Sequence, residues 1–337
     1  MTESKAMILG CQGLTLTPDE IALYRGEAPW GFILFGRNIG EPAQISDLVS
    51  ALRESVGRDA PVFIDQEGGR VQRIRPPILS RYPSGQALGE LYRRDRDAGL
   101  RAAWLMSRLH AFDLKSFGID VDCLPVLDVP MEGSSNVIGD RAYGTDPTTV
   151  AEMGRAAAAG LKAGGVLPVM KHMPGHGRGM VDSHHDLPVV NVSRAELEAH
   201  DFVPFVAMKD ELMAMTAHVV YTEIDPSNPA TTSRVVIEEI IRGYIGFEGL
   251  LMSDDSSMNA LKGTLGERAA NIAAAGCDIV LHCNGVMDEM KQVVANVPVL
   301  SGRALQRAKK VEAALGAMDD AEEIQVRAEF DSLIAVA

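Results

Sequence analysis

The chain has 337 residues, of which 46% are apolar and 23% charged, and this balance excludes a disordered chain. Its 46 acidic residues outnumber its 32 lysines and arginines, which gives a net charge of −14, and so acidic a surface repels the phosphates of nucleic acids. No apolar run reaches the roughly 18 residues that a membrane span needs. We therefore expect a globular protein that binds neither nucleic acid nor a membrane.

The amino-terminal residues and the cysteines predict a cytoplasmic location. Residues 1–16 lack a basic stretch followed by a long apolar one, so the sequence indicates no secretory signal. Four cysteines are few for this length, and none has CxxC spacing, which favours reduced and mostly buried thiols. These cysteines are Cys11, Cys123, Cys277 and Cys283.

Short apolar runs alternate with longer amphipathic stretches along the chain. The apolar runs predict eight strands, at residues 6–11, 31–36, 61–66, 121–129, 166–172, 212–220, 249–255 and 278–283. The stretches between them predict helices, among them residues 42–57, 97–118, 148–165 and 233–246, and the residues after about 300 predict further helices on the outside of the fold. Thr17, Asp146 and Ser233 each stand where a helix N-cap is expected.

This alternation is typical of parallel βαβ units whose strands are buried on both faces. About eight such units in roughly 300 residues suit a (β/α)8 barrel, the TIM barrel. A doubly wound open sheet has the same local pattern and stays open as an alternative. Because no linker or change of composition marks a second domain, we predict one α/β domain over residues 1–337, a TIM barrel with extra carboxyl-terminal helices.

Catalytic groups of such barrels come from the carboxyl ends of the strands, and four predicted strand ends are rich in polar side chains. Asp65 ends one apolar run, and a Gly-Gly turn then leads to Arg70 and Arg73. A carboxylate that directly ends a buried strand usually has a partner or a function. Asp140 and Arg141 follow the next strand, but such a loop pair alone is a common surface feature.

The strand that ends with Lys171 and His172 is followed by the densest polar segment. Four of the eight histidines fall within residues 172–185, and glycines at 175, 177 and 179 predict a loop. Acid–base catalysis by Asp182 and His184 is one possibility, since the two are two residues apart on one extended face. Metal binding is the other, with four candidate ligands: His172, His176, His184 and Asp182. Pro174 and Gly175 interrupt helical presentation of such ligands, and there is no HExxH motif.

Asp254 and Asp255 follow another apolar strand. Two adjacent carboxylates are costly to bury unless they are used, and successive side chains on an extended chain point in opposite directions. A carboxylate nucleophile is the natural use of one of them. Asp255 is also a candidate N-cap for the segment that follows.

At these positions the sequence resembles glycoside hydrolase family 3, in particular its single-domain bacterial β-N-acetylglucosaminidases of cell-wall recycling. The resemblance covers about residues 5–300, and the matching stretches occur in family order. They are DQEGGRVQR (65–73), NVIGDR (136–141), KHMPGHG (171–177), DSH (182–184), MTAHV (215–219), NPAT (228–231) and GFEGL (246–250) leading into SDD (253–255). Two departures are Met173, where an aromatic residue is usual, and Arg178-Gly179, where Asp-Thr is usual.

The resemblance implies a role for each matching residue. Asp254 matches the catalytic nucleophile, and His184 matches the acid/base, with Asp182 as its partner in a dyad. The residues that match the sugar-binding set are Asp65, Arg73, Arg141, Lys171 and His172, and Met258 lines the same pocket. The family's larger members carry a second domain, for which this chain has no room.

The implied reaction is the retaining hydrolysis of terminal β-linked N-acetylglucosamine from peptidoglycan fragments. These fragments are N-acetylglucosaminyl-1,6-anhydro-N-acetylmuramic acid with or without peptide, and the enzyme is expected to be a cytoplasmic monomer that needs no cofactor and no metal. Three alternatives stay open. They are a metal-dependent hydrolase on the same barrel, a β-glycoside phosphorylase of the same family, and a sugar-binding protein without catalysis.

Overall fold

Apolar runs form strands at each of the eight places where the sequence predicts one. The structure is a computed structural model that describes residues 4–179 and 187–335. Except for Lys5, Val71 and Val189, the strand residues are buried, which is how apolar strands of a parallel sheet are stabilised. They are β1 (Lys5–Gly10), β2 (Pro29–Leu34), β3 (Val62–Ile64), β4 (Gln66–Gly68), β5 (Val71–Gln72), β6 (Val121–Asp122), β7 (Leu167–Pro168), β8 (Met170–Met173), β9 (Val189–Val190), β10 (Met213–Thr216), β11 (Val220–Tyr221), β12 (Leu250–Met252) and β13 (Val280–His282).

Parallel pairing joins most of these strands into two sheets. One has six strands in the order β13-β1-β2-β3-β6-β7, and the other has three in the order β12-β10-β8. Isolated parallel bridges pair Val126 with Lys171 and Met252 with Ile279, at the borders of the two sheets. The pair β9–β11 is parallel and the hairpin β4–β5 is antiparallel. The prediction of an α/β fold on parallel strands is therefore confirmed.

Helices connect the strands and follow them at the carboxyl end. They are α1 (Pro18–Glu27), α2 (Pro42–Val56), α3 (Gly85–Arg94), α4 (Arg96–Ser116), α5 (Pro147–Ala163), α6 (Arg194–Ala199), α7 (Val203–Ala207), α8 (Leu265–Ala275), α9 (Met287–Val294), α10 (Gly302–Ala314) and α11 (Glu323–Ile334). The predicted caps are confirmed, because the side chains of Thr17, Asp146 and Ser233 accept backbone N–H groups three residues onward. Within the described ranges, no helix combines the length and the apolarity that a membrane crossing requires.

Three local predictions need correction. Residues 233–246 form not an α-helix but a π-helical segment, Val236–Tyr244, in which the Ile245 N–H donates to the Ile240 carbonyl five residues back. Residues 121–129 are regular strand only at their start. Asp255 does not cap a helix: its carboxylate accepts the N–H of Ser257 in a turn, and the next helix, α8, is capped by Thr264.

The carboxyl-terminal helices pack against the outside of the strand–helix core, as the sequence predicts. Helix α11 contacts α4, and Arg101 of α4 forms a bidentate ion pair with Glu329, the shorter contact being 2.6 Å. Arg108, also on α4, is buried and bonds Asp319 at 2.6 Å. The four cysteines are free and buried, in agreement with the sequence analysis.

One glycine shows how closely the strands approach each other. A Cβ atom on Gly10, at the end of β1, would stand 2.1 Å from the backbone carbonyl oxygen of Cys283, just after β13. Only glycine fits this position, because the end of β1 and the segment after β13 meet there without space for a side chain. Cys283 also lines the cavity described next.

Candidate active site

A cavity of about 240 Å³ opens where the carboxyl ends of the parallel strands meet. Polar side chains from ends far apart in the sequence line it, while Ile33, Met215 and Leu281 form an apolar part of the wall. Seven of the nine predicted site residues line this one cavity: Asp65, Arg73, Arg141, Lys171, His172, Asp254 and Met258. The other two, Asp182 and His184, lie outside the described residues, as do His185 and Asp186.

Lys171 stands at the centre of a buried network of charges. Its Nζ atom lies 2.8 Å from Oδ1 of Asp65 and 2.6 Å from Oε1 of Glu67. Arg73 donates to the other oxygen of Asp65 at 2.7 Å. Arg141 donates two parallel hydrogen bonds of 2.8 Å to the carboxylate of Glu67. Three cations thus hold two carboxylates, and all five side chains have fixed positions at the cavity wall.

The charges of this network keep its members ionised at neutral pH. Burial alone would raise the pKa of Asp65, but the charges of Lys171 and Arg73 hold it well below its usual range. The pKa of Glu67 is lowered to about 2, because the attraction of Arg141 and Lys171 outweighs the effect of burial. Burial would lower the pKa of Lys171, and the two carboxylates raise it instead. The cavity therefore presents charged donors and acceptors, which is what a polyhydroxylated ligand requires.

His172 is held from behind by a buried carboxylate. Its Nδ1 atom lies 2.6 Å from Oδ2 of Asp128, and Oδ1 of Asp128 accepts the backbone N–H of His176 at 2.6 Å. Cis peptide bonds precede both His172 and Pro174. The chain from Gly177 to Gly179 continues along residues 129–135, where the N–H of Ser135 donates to the Gly179 carbonyl at 2.8 Å. A Cβ atom on Gly177 would lie 2.0 Å from the Val129 carbonyl oxygen, so this approach requires glycine.

Asp254 lies in a tight turn that follows β12. Its Oδ1 atom accepts the N–H of Asp255 at 2.8 Å. Asp255 lines the cavity too, but its carboxylate holds the turn together, accepting the N–H of Ser257 and of Cys283 at 3.1 Å each. Both carboxylates therefore line the cavity, and that of Asp255 also holds the turn together.

His218 fixes the same turn from the side of β10. Its Nε2 atom lies 2.9 Å from the backbone carbonyl of Asp255 and its Nδ1 atom 2.7 Å from Oγ1 of Thr231. Because a carbonyl can only accept, Nε2 carries a proton and donates it to the Asp255 carbonyl. The MTAHV and NPAT stretches are thus connected to the turn that presents Asp254.

Sequence reasoning missed three residues of this site. Glu67 and His218 stand inside the DQEGGRVQR and MTAHV stretches, and Asp128 lies within the predicted strand 121–129, but the sequence indicates no role for any of them. A buried position next to an apolar strand was the available signal for Asp128 and His218. Their partners could not be foreseen, because Asp128 meets His172 across 44 residues of sequence and His218 meets Asp255 across 37.

Two of the four candidate metal ligands, His172 and His176, lie in the part of the chain that the structure describes. There, no group of three or more His, Cys, Asp or Glu side chains is placed to hold an ion. The rings of His172 and His176 lie 6.0 Å apart, and Nδ1 of His172 is engaged by Asp128. Burial lowers the pKa of His176 to about 4, so this ring is neutral at physiological pH.

A family model described as the glycosyl hydrolase family 3 N-terminal domain matches residues 30–314. The chain belongs to this family and is an enzyme, a glycoside hydrolase. Among its curated relatives, the β-hexosaminidase of Nitrosomonas eutropha is 39% identical over 282 residues, which is 82% of this chain and 80% of the relative. The β-hexosaminidase of Xylella fastidiosa strain 9a5c is 40% identical over 284 residues, or 82% and 83% of the two chains.

Solved structures agree with this assignment over almost the whole chain. NagZ from Neisseria gonorrhoeae in complex with N-trifluoroacetyl-D-glucosamine is 32% identical, with a TM-score of 0.86 over 99% of this chain and 97% of that one. The family 3 β-N-acetylglucosaminidase from Paenibacillus sp. FPU-7 is 29% identical, also with a TM-score of 0.86. The match spans 97% of this chain but 66% of that one, less than two thirds of its length.

Proposed function

We propose that this enzyme is a retaining β-N-acetylglucosaminidase that removes terminal β-linked N-acetylglucosamine through a covalent intermediate on Asp254. The observation that carries the proposal is the convergence of Asp254 with six residues of the implied sugar-binding set on one cavity. These residues come from five strand ends and loops between residues 65 and 258. The β-hexosaminidase activity of the curated relatives supports the same reaction.

The network around Lys171 supports the role of sugar binding. Its carboxylates accept hydrogen bonds from hydroxyl groups, and its cations donate to hydroxyl oxygens. Because Asp65, Glu67 and Lys171 are already fixed by one another, they lose little freedom when a sugar ring binds. Binding energy then aligns the anomeric carbon with the carboxylate of Asp254.

The chemistry proceeds in two steps. Asp254 attacks the anomeric carbon and forms a glycosyl-enzyme while His184 protonates the leaving oxygen; His184 then takes a proton from the incoming water, whose oxygen displaces Asp254. The common pattern uses a second carboxylate as acid/base, and here a histidine would take its place. An imidazole titrates near neutral pH, and Asp182 would stabilise its protonated form between the steps.

The proposal extends to the shape of the fold and to the substrate. We infer that residues 1–337 form one domain whose strands close into a (β/α)8 barrel, and the bridges Val126–Lys171 and Met252–Ile279 at the borders of the two sheets support closure. The substrates would be cytoplasmic N-acetylglucosaminyl-anhydromuramic acid fragments with or without peptide, and the enzyme a monomer. The resemblance to single-domain enzymes of cell-wall recycling is the basis for these statements.

A turnover screen tests the reaction class and the ring specificity together. Purified protein is assayed with 4-nitrophenyl β-glucoside and 4-nitrophenyl N-acetyl-β-glucosaminide, and proton NMR records the anomer that is released first. The proposal predicts selective turnover of the N-acetylated substrate and a β-configured first product. Turnover of the glucoside alone, or an α-configured first product, would contradict it.

A second experiment tests His184 as the acid. His184→Ala should slow substrates with poor leaving groups far more than an activated aryl glycoside, because only the former need protonation in the first step. Equal losses on both substrates would exclude the acid role. A variant of Arg194, which lies on α6 and pairs with Glu198 at the surface, provides a control for effects on folding.

A further inference from the structure

We propose that Asp128 is a positioning residue of this enzyme: it fixes one tautomer of His172, so that Nε2 enters the cavity as a hydrogen-bond acceptor. The inference rests on the proposed function insofar as His172 is taken to bind a sugar hydroxyl. Asp128 itself does not line the cavity and is fully buried. Its effect on the ligand therefore passes through the imidazole ring.

Two backbone N–H groups and one ring nitrogen converge on the Asp128 carboxylate. Oδ1 accepts the backbone N–H of His176 at 2.6 Å and that of His172 at 3.3 Å, while Oδ2 faces Nδ1 of the His172 ring at 2.6 Å. The two backbone N–H groups that donate to Oδ1 favour the ionised form, so the group is a carboxylate. An ionised carboxylate can only accept hydrogen bonds.

The proton on the His172 ring is assigned by this arrangement. Since Oδ2 of Asp128 has no hydrogen to give, the ring must donate from Nδ1, and in the neutral ring Nε2 is then an acceptor. Nε2 is the ring nitrogen left for the cavity that His172 lines. A sugar hydroxyl at this point would donate to Nε2 while its oxygen accepts from a neighbouring cation. The hydrogen-bonding group that the cavity presents to the sugar at this point thus depends on Asp128, which the sugar does not touch.

Asp128→Asn reverses this assignment with almost no change of shape. The two backbone N–H groups need an acceptor, so the amide oxygen of Asn takes the place of Oδ1, and its NH₂ group faces the His172 ring. Nδ1 then has to accept, and the proton moves to Nε2. The cavity gains a donor where it had an acceptor, while the backbone contacts of residues 172 and 176 are preserved.

Nitrogen-15 NMR of the histidine rings tests the inference in the resting enzyme. The His172 signal is assigned by its loss in His172→Gln. We expect the Nδ1–H tautomer in the native enzyme and the Nε2–H tautomer in Asp128→Asn. A native enzyme with the Nε2–H tautomer, or with a proton on both ring nitrogens, would overturn the inference, and this readout is informative even if Asp128→Asn fails to fold. Because no substrate is needed, failure of the proposed glycosidase activity would leave the NMR result unaffected.

Kinetics supply the second readout through a double-mutant cycle. Asp128→Asn should lower kcat/KM by about 10- to 100-fold, the range for residues that orient a functional histidine. In the His172→Gln background the same substitution should cost less than about twofold, because there is no ring left to orient. An equal loss in both backgrounds would mean that Asp128 acts only on the fold, which would overturn the inference.

Asp120→Asn is the matched control. Asp120 is also a buried aspartate, located directly before β6, where it accepts the N–H of Val62 and pairs with Arg53 and Lys115. It lies at the amino end of the strand, away from the cavity. The same chemical change there should leave the His172 tautomer and kcat/KM as they are in the native enzyme. A tautomer change in this control would contradict the assignment to Asp128.

Discussion

Removal of the Lys171 ammonium group tests the charge network most severely. In Lys171→Met the aliphatic volume is largely retained, but Asp65 and Glu67 lose contacts of 2.8 and 2.6 Å to a cation that is almost fully buried. Each carboxylate keeps one other partner, Arg73 for Asp65 and Arg141 for Glu67. The two acids also repel each other, which Lys171 offsets in the native protein.

The magnitude follows from this geometry. Breaking a buried ion pair by removing one partner costs about 3–5 kcal/mol. Because neither carboxylate is left without a cation, we expect the lower end of that range, about 3 kcal/mol in the free energy of unfolding near pH 7. The cost should depend on pH, since protonation of one carboxyl group relieves the repulsion in the variant.

The sign of the pH dependence is fixed by Glu67. Its pKa falls from 4.5 to about 2 on folding, so it stabilises the native protein above the unfolded value, and this contribution is lost as the pH falls toward 2. In Lys171→Met the folded pKa is higher, and there is less stabilisation to lose. The difference between the two proteins should therefore shrink by roughly 1 kcal/mol between about pH 7 and about pH 4.

Urea unfolding followed by tryptophan fluorescence measures both quantities. Lys162→Met is the control, because Lys162 forms an ion pair of 2.6 Å with Glu211 at the surface, where such pairs contribute about 0–1 kcal/mol. The reasoning is refuted if Lys171→Met costs no more than this control. It is also refuted if the difference from the native protein does not change with pH.

Three further predictions concern pH, packing and the thiols. Burial lowers the pKa of His176 from its usual 6.5 to about 4, so the unfolded chain binds a proton first and stability should fall by about 3 kcal/mol as the pH is lowered between these values. His176→Gln should flatten this slope in urea titrations, and parallel profiles would contradict the assignment. Gly89→Ala should destabilise the protein, because a Cβ atom would lie 1.6 Å from the Tyr143 carbonyl oxygen. Gly26→Ala, in open space on α1, should stabilise it by about 0.5–1 kcal/mol. Thermal unfolding compares the two variants, and the opposite order of stability would be inconsistent with the packing. Burial raises the pKa of all four thiols, those of Cys11, Cys123, Cys277 and Cys283. Ellman's reagent should therefore label none of them in the native protein and four after denaturation. Fast labelling of the native protein would contradict this prediction, because it would show an accessible thiol.

The sequence predicts the strands well because apolar runs and buried parallel strands are nearly the same pattern. It also predicts which polar residues meet, since Asp65, Lys171 and Asp254 each follow or end such a run and strand ends share one edge of the fold. A (β/α)8 barrel and an open sheet have the same local sequence pattern, so the periodicity of apolar residues does not predict whether the strands close into a barrel. The π-helical segment was missed because its apolar spacing also fits an α-helix.

The residues that hold the site residues in place were much harder to predict. Glu67 pairs with Arg141 across 74 residues of sequence, and Asp128 pairs with His172 across 44. Neither residue has a local pattern that distinguishes it from an ordinary buried acid. Their roles follow only from the fold, which brings β4, β8 and the segment after β6 together at the cavity.

The central claim is that the carboxylate of Asp254 is the nucleophile, and one measurement tests it most directly. The release of 4-nitrophenol from 4-nitrophenyl N-acetyl-β-glucosaminide is compared for the native enzyme and Asp254→Ala, with near-ultraviolet circular dichroism to confirm equal folding. We predict that the variant keeps the native spectrum and that its turnover falls to background. A variant that is folded and still turns the substrate over at a rate near that of the native enzyme would contradict the account.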